Sequence, residues 1–329
     1  MNWKAKIYKT AYQVAEEFSK KDWVKGVAIG GSVARGTVWM HSDLELCLLV
    51  DEKNNDIAYF NYIDGLGVEL IQLERAKIEA FVSEYEEHGG FGDIVGFPLQ
   101  MYRCRVMHDP SGLLARFKEA FDGNLFDDSI KRLKKDEALA RAGRHYSDAQ
   151  KLLEDGRPQS ARGALCVAVN ALLIAYYWQH GILLRSQNRT VYLLKRQAKL
   201  IDGGELCAAF TAIYGVDKSP PRLKAEFLEA KEDLMEAFRG IWGESGAEFL
   251  ENACDGNLEW GYESSIIYVY KYCFYSRIYN QVLDGTYDDA AFRAEHPALC
   301  RFLCADETDE QYAARLIALY EGARKRLPV

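Results

Sequence analysis

The stretch from Val27 to Val50, VAIGGSVARGTVWMHSDLELCLLV, constrains the fold more than any other part of the chain. Val27-Ala28-Ile29 is a short apolar run of the kind that forms a buried strand. Gly30-Gly31 breaks it, and Ser32 then opens one or two helical turns. Glycines let a backbone come close to a ligand, and the first amides of a helix point outward with partial positive charge. The turn therefore suits phosphate oxygens, with the Ser32 hydroxyl as a further donor. A second apolar run, Leu44–Val50, begins with Asp43 and Glu45, which on a strand leave from the same face. Leu44 and Leu46 point the other way, toward a core. Glu69 sits in a third strand-like stretch, Leu66–Leu73. If that strand lies beside the second, three carboxylates converge next to the glycine turn, and they would not all stay ionised without cations. Magnesium suits such a place, because one or two carboxylates together with substrate phosphates usually hold it.

Taken singly, a Gly-Gly-Ser is usually a turn and an Asp-x-Glu a solvated strand end. Their order carries the inference: strand, Gly-Gly-Ser, short helix, Asp-x-Glu on a second strand, a lone acid on a third. That order resembles the nucleotidyltransferase superfamily related to DNA polymerase beta, and within it most resembles the kanamycin (aminoglycoside) nucleotidyltransferases. The residues that carry the resemblance are Gly31-Ser32, Arg35, Ser42-Asp43-Leu44-Glu45 and Val68-Glu69. It continues through Glu84–Gly90 and Val106–Phe121 and fades in the helical part that follows.

The resemblance implies metal-dependent transfer of a nucleoside monophosphate from a nucleoside triphosphate, ATP being the expected one, to a hydroxyl of a small-molecule acceptor such as an aminoglycoside, with pyrophosphate released. Gly31, Ser32, Arg35 and Ser42 would then contact the nucleotide, and Asp43, Glu45 and Glu69 would bind one or two Mg²⁺. It also implies a general base and a cationic triphosphate contact from the first helix of the helical domain, contributed across a homodimer interface. The matching region is Asp136–Arg144, DEALARAGR. Arg144 falls where the family has a lysine, which keeps the charge. Ala140 falls where the family has its glutamate, so the base is either Asp136 or Glu137, or the metal alone lowers the pKa of the hydroxyl.

With 329 residues, 49% of them apolar, the chain can bury cores for about two domains. Its net charge of −8 argues against a nucleic-acid backbone as partner and suits a cationic small molecule. The eight cysteines sit mostly in apolar runs, with no Cys-x-x-Cys and no accompanying histidine pair, and read as reduced, buried thiols of a cytoplasmic protein. Gly163–Leu184 lacks charge and is long enough to span a bilayer. Asn170, Gln179, His180 and Gly181 interrupt it, and it reads as a central bundle helix, so no membrane is expected.

The spacing of Ile7, Ala11, Val14 and Phe18 predicts an N-terminal amphipathic helix within Met1–Lys21. Arg75–Glu87 is a second helix, stopped at His88-Gly89-Gly90. Asp93–Met107 is irregular or strand, and Asp109-Pro110-Ser111 starts a helix to Phe121. Asp122-Gly123-Asn124 marks a boundary between residues 1–124, the catalytic domain, and residues 125–329, a helical domain for substrate binding and dimerisation. Helices are expected near Asp127–Asp155, Gln159–His180, Thr190–Leu200, Leu223–Phe238, Tyr262–Leu283 and Glu307–Lys325. Aromatic-rich Ile266–Tyr279 reads as a core helix. Cys254–Glu263, with its acids, Trp260 and Tyr262, is a minor candidate for a cationic ligand. The fold class is thus α+β: a small mixed β-sheet domain with flanking helices, followed by an α-helical bundle.

Two other readings compete. His41-Ser42-Asp43-Leu44 is superficially similar to the catalytic loop of aminoglycoside phosphotransferases. Leu48, however, stands at the place of the metal-binding asparagine, and the motif comes too early to follow a nucleotide-binding lobe. No Walker-type Gly-x-x-x-x-Gly-Lys is present. The alternative of a different class is a non-catalytic nucleotide binder or antitoxin-like regulator of the same superfamily. Partners of such regulators carry Arg-x4–6-His in a helical bundle. The spacing found here, Arg103 to His108, falls in the sheet domain, and three intact acids favour an enzyme.

Overall fold

The computed structural model describes residues 2–89, 94–183, 189–200 and 202–327. Gly90, Asp93 and Leu184, each at the edge of a predicted segment, lie outside the described residues. The chain divides into two compact units, one made of Met1–Lys131 with Trp242–Gly256 and the other of Arg132–Ile241 with Asn257–Val329.

The first unit is built on a mixed sheet. Its strands are β1 (Val24–Ile29), β2 (Leu44–Val50), β3 (Phe60–Ile63), β4 (Leu66–Glu74) and β5 (Arg105–His108), in the order β3-β4-β2-β1-β5. β2 and β4 run parallel, with Glu45 opposite Glu69, and the other neighbours are antiparallel. Period-two alternation sends two sets of side chains to opposite faces. Val27, Ile29, Leu44, Leu46, Leu48 and Val50 pack with Ile7, Ala11 and Val14 of α1 (Trp3–Ser19), the face that the helical spacing predicted. Phe18 joins this core at its rim. Between β1 and β2 lies α2 (Gly31–Ala34), a single turn that starts one residue before Ser32. α3 (Arg75–His88) ends at Gly89 in the left-handed region, φ 62°, as the glycine stop predicted. It packs against α4 (Leu113–Asn124), where Phe81, Phe117 and Phe121 form a ring cluster with Phe97.

α5 (Asp128–Glu154) opens the helical region, followed by α6 (Pro158–Gln179) and α7 (Thr190–Gln197). α6 is long and apolar enough to cross a membrane, yet 89% of its apolar window is buried inside the unit. A helix apolar on all sides and wrapped by others is a core helix, and α6 packs against α8 (Gly204–Tyr214), α10 (Glu263–Leu283) and α13 (Glu310–Lys325). α8 has no counterpart among the predicted helices. GELCAAFTAIY is apolar almost throughout, so it shows little of the contrast on which periodicity depends. α9 (Pro220–Glu259) extends well past the predicted end at Phe238. It is two helices joined at Gly243, whose φ of 72° and ψ of 177° are not helical. Cys254–Glu259 therefore lies in a helix, with Trp260 capping it. Two short helices, α11 (Asp289–Glu295) and α12 (Pro297–Phe302), also lack a predicted counterpart. α13 starts at Glu310 rather than Glu307, because Asp309 caps it by accepting from the Tyr312 amide. In α10 the aromatic-rich Ile266–Tyr279 is a core stretch: Tyr268, Tyr270, Tyr275 and Tyr279 are all buried, as a core helix requires.

Candidate functional site

Register, rather than proximity in sequence, assembles the acids. β2 and β4 are hydrogen-bonded neighbours and Glu45 stands directly opposite Glu69, so their Cα atoms are about 4.8 Å apart and their side chains leave from one face. Asp43 precedes β2 and is close enough to raise the proton affinity of both glutamates. Opposite faces of the same strands carry Leu44, Leu46, Val68 and Leu70 into the α1 core, which pins the register.

The glycine turn abuts this cluster. The Gly30 amide donates to the Glu45 carbonyl at 2.8 Å, tying the end of β1 to the start of β2. Gly31 has a φ of +56°, and a Cβ there would fall 1.8 Å from a carboxylate oxygen of Glu45. The Glu45 carboxylate thus packs directly on the Gly31 backbone, a place only glycine can occupy. Its Oε2 atom is buried and accepts no hydrogen bond, and the buried Ser32 hydroxyl likewise has no partner. Arg35, which caps the single turn, is near enough to Glu45 to oppose the rise in its pKa and donates to the Tyr102 carbonyl at 3.5 Å.

Burial and crowding decide the charge state. Desolvation pushes Asp43 up from 3.8 to about 6. Desolvation and then Asp43 push Glu69 up from 4.5 to about 7, against a 3.1 Å hydrogen bond from Tyr59. Glu45 rises furthest, through desolvation and then the charges of Asp43 and Glu69. Three carboxyls held in this way are poised for a cation.

Among the described residues no three His, Cys, Asp or Glu side chains form a ready-made metal cage. Mg²⁺ is usually held by one or two carboxylates and completed by substrate phosphates and water. The unpartnered Glu45 Oε2 atom and the unpartnered Ser32 hydroxyl, both buried at the turn, fit a donor set of that kind.

Ser42 is also here, but its Oγ accepts from the Trp39 amide at 3.0 Å and closes a turn ahead of Asp43. Glu137 and Arg144 belong to the second unit, both exposed on α5, with Glu137 accepting from Lys134 at 2.8 Å. Several residues escaped the sequence reading. Tyr59 holds Glu69, and a cavity of ≈ 360 Å³ beside Asp43 is lined by His41, Tyr62, Glu248, Phe249 and Asn252 among others. The last three come from the part of α9 beyond Gly243, which packs on this unit through Phe249 against Phe60 and Gly67. No local pattern marks them, because their relation to Asp43 exists only after folding.

No curated protein matches the chain. Among solved structures, a nucleotidyltransferase-like protein from Exiguobacterium sibiricum 255-15 is similar at 14% identity, over 82% of this chain and 78% of that one, with a TM-score of 0.37. Residues 11–88, which span most of α1 through α3 and hold Gly31, Asp43, Glu45 and Glu69, match the family model described as the nucleotidyltransferase domain.

Proposed function

We propose that the protein transfers a nucleoside monophosphate from a nucleoside triphosphate, ATP in the first instance, to a hydroxyl of a small-molecule acceptor. The observation that carries this reading is the convergence of Asp43, Glu45 and Glu69 on the Gly31-Ser32 turn. In the reaction the acceptor oxygen attacks the α-phosphorus, the bond to the bridging oxygen breaks, and pyrophosphate leaves. Gly31 and Ser32 hold the triphosphate by backbone amide and hydroxyl, and Arg35 offsets its charge. Asp43, Glu45 and Glu69 would hold one or two Mg²⁺, which when bound supplies phosphate charge neutralisation and a lowered hydroxyl pKa. Positioning and charge stabilisation provide most of the acceleration in phosphoryl chemistry, so little else is required of the side chains.

The cavity beside Asp43 is the proposed acceptor site. Two carboxylates, Asp43 and Glu248, with the Asn252 amide and the Phe249 ring, suit a polyol bearing amines, and an aminoglycoside is the proposed example. On α5, Asp136, Glu137 and Arg144 are exposed, and a second copy of the chain is the proposed recipient of a base and a cation from them. The eight cysteines, six of them buried and none in a disulfide, support a cytoplasmic setting.

A pyrophosphate-release screen of several nucleoside triphosphates against aminoglycosides and other polyols tests the proposal. Release is expected with at least one pair and is expected to vanish in Asp43→Asn; unchanged turnover in that variant would overturn the assignment. Tight ATP binding without release against every acceptor would favour the non-catalytic binder instead.

A further inference from the structure

Among the described residues, the second unit buries two cations that no carboxylate touches. Arg162 on α6 is 1% exposed and Lys271 on α10 is 0% exposed. Arg162 spends its donors on the carbonyls of Ala212, Ile213 and Cys304 and on the Thr308 hydroxyl, at 2.8–3.3 Å. Lys271 Nζ lies 3.3 Å from Cys304 Sγ and 3.4 Å from the Gly215 carbonyl. Cys304 itself is 1% exposed and holds a φ of +59°, which turns its sulfur inward just past α12. Lys218, its side chain 11% exposed, also hydrogen-bonds the Cys304 sulfur and pairs with Glu226 and Glu307. An ammonium out of water needs an anion nearby, and the Cys304 sulfur in contact with Lys271 can become one.

The chemistry of the pair follows from this packing. Burial alone would raise the Cys304 thiol, but Lys271, then Arg162 and Lys218 outweigh it and lower it. Burial holds the Lys271 ammonium below its usual range. The 3.3 Å contact places the Lys271 ammonium where it can stabilise the Cys304 thiolate and later give up its proton. Attack of the thiolate on hydrogen peroxide forms a sulfenic acid and releases hydroxide, which takes the Lys271 proton and becomes water. The sulfenic acid is neutral, so the lysine has lost its counter-ion and stays as the free amine. That amine attacks the sulfur, an S–N bond forms, the S–O bond breaks, and a second water leaves.

We propose that Cys304 and Lys271 are the two halves of a peroxide-driven, thiol-reversible sulfenamide crosslink between α10 and the turn after α12. The proposal is independent of the transfer reaction. Its effect would be to staple α10 to the segment leading into α13.

Full-length protein treated with hydrogen peroxide, quenched without reductant and digested, tests it by peptide mass. The expected product is a pair of peptides carrying Lys271 and Cys304, joined and lighter than their sum by about 2 Da, which dithiothreitol separates. The oxidised protein is also expected to have a higher denaturant midpoint than the reduced one. Cys304 found as sulfinic or sulfonic acid without a link, a Cys166–Cys304 disulfide, or Cys304 unmodified while the half-buried Cys207 and Cys273 oxidise would each overturn it. Lys271→Met should give no linked peptide, and if that variant does not fold the wild-type digest decides alone.

Discussion

Gly31 shows how little freedom the site leaves at the level of one residue. Its φ of +56° and its contact with the Glu45 carboxylate allow no side chain. Gly31→Ala is expected to displace Glu45, to cost roughly 1–3 kcal/mol of stability and to abolish transfer. A denaturant midpoint equal to wild type would count against this packing. The acids themselves store a second prediction. Asp43 and Glu69 hold protons up to about 6 and about 7, against ordinary values of 3.8 and 4.5. Between those limits the folded chain binds more protons than the unfolded one, so this cluster makes stability fall as pH rises. Its contribution is complete below the unfolded values and lost as pH passes through the folded ones. Without divalent ions, wild type is therefore expected to lose more melting temperature than Asp43→Asn from about pH 4.5 to about pH 7.5, by about 2–4 °C for each kcal/mol. Thermal melts in EDTA check it; parallel slopes for the two proteins would sink the idea.

At the level of elements, the predicted β1, β2 and β4 are present because apolar runs bounded by glycine and polar residues mark them, and α1 because four apolar residues recur at helical spacing. The part of α9 beyond Gly243 has no such mark in relation to the sheet. Phe249, 7% exposed, packs at a tilt against Phe60 with ring centroids 4.6 Å apart and closes over Gly67. Phe249→Ala is expected to cost roughly 3–5 kcal/mol and, where the protein still folds, to raise the acceptor KM more than the nucleotide KM. Equal rises in both would remove the cavity beside Asp43 from the acceptor's path.

At the scale of the whole chain, the helical unit converges on Arg162, which joins α6 to the end of α8 and to the turns before α13 through four hydrogen bonds. Arg162→Ala removes four charge-assisted hydrogen bonds, to three carbonyls and a hydroxyl that each keep one other partner, and a loss of roughly 3 kcal/mol or more is expected in chemical unfolding. A loss below about 1 kcal/mol would mean water replaces the guanidinium. What the sequence determined by itself is the strands β1, β2 and β4, their core face, and the Gly-Gly-Ser and Asp-x-Glu elements, because turn chemistry and two-residue alternation are local properties. Only the tertiary structure decided that Glu45 stands opposite Glu69, that Tyr59 holds Glu69 and that Phe249 reaches the sheet. It also decided that Arg162 and Lys271 meet at Cys304. Strand pairing and helix packing join residues far apart in the chain, and no local pattern encodes which of them will meet.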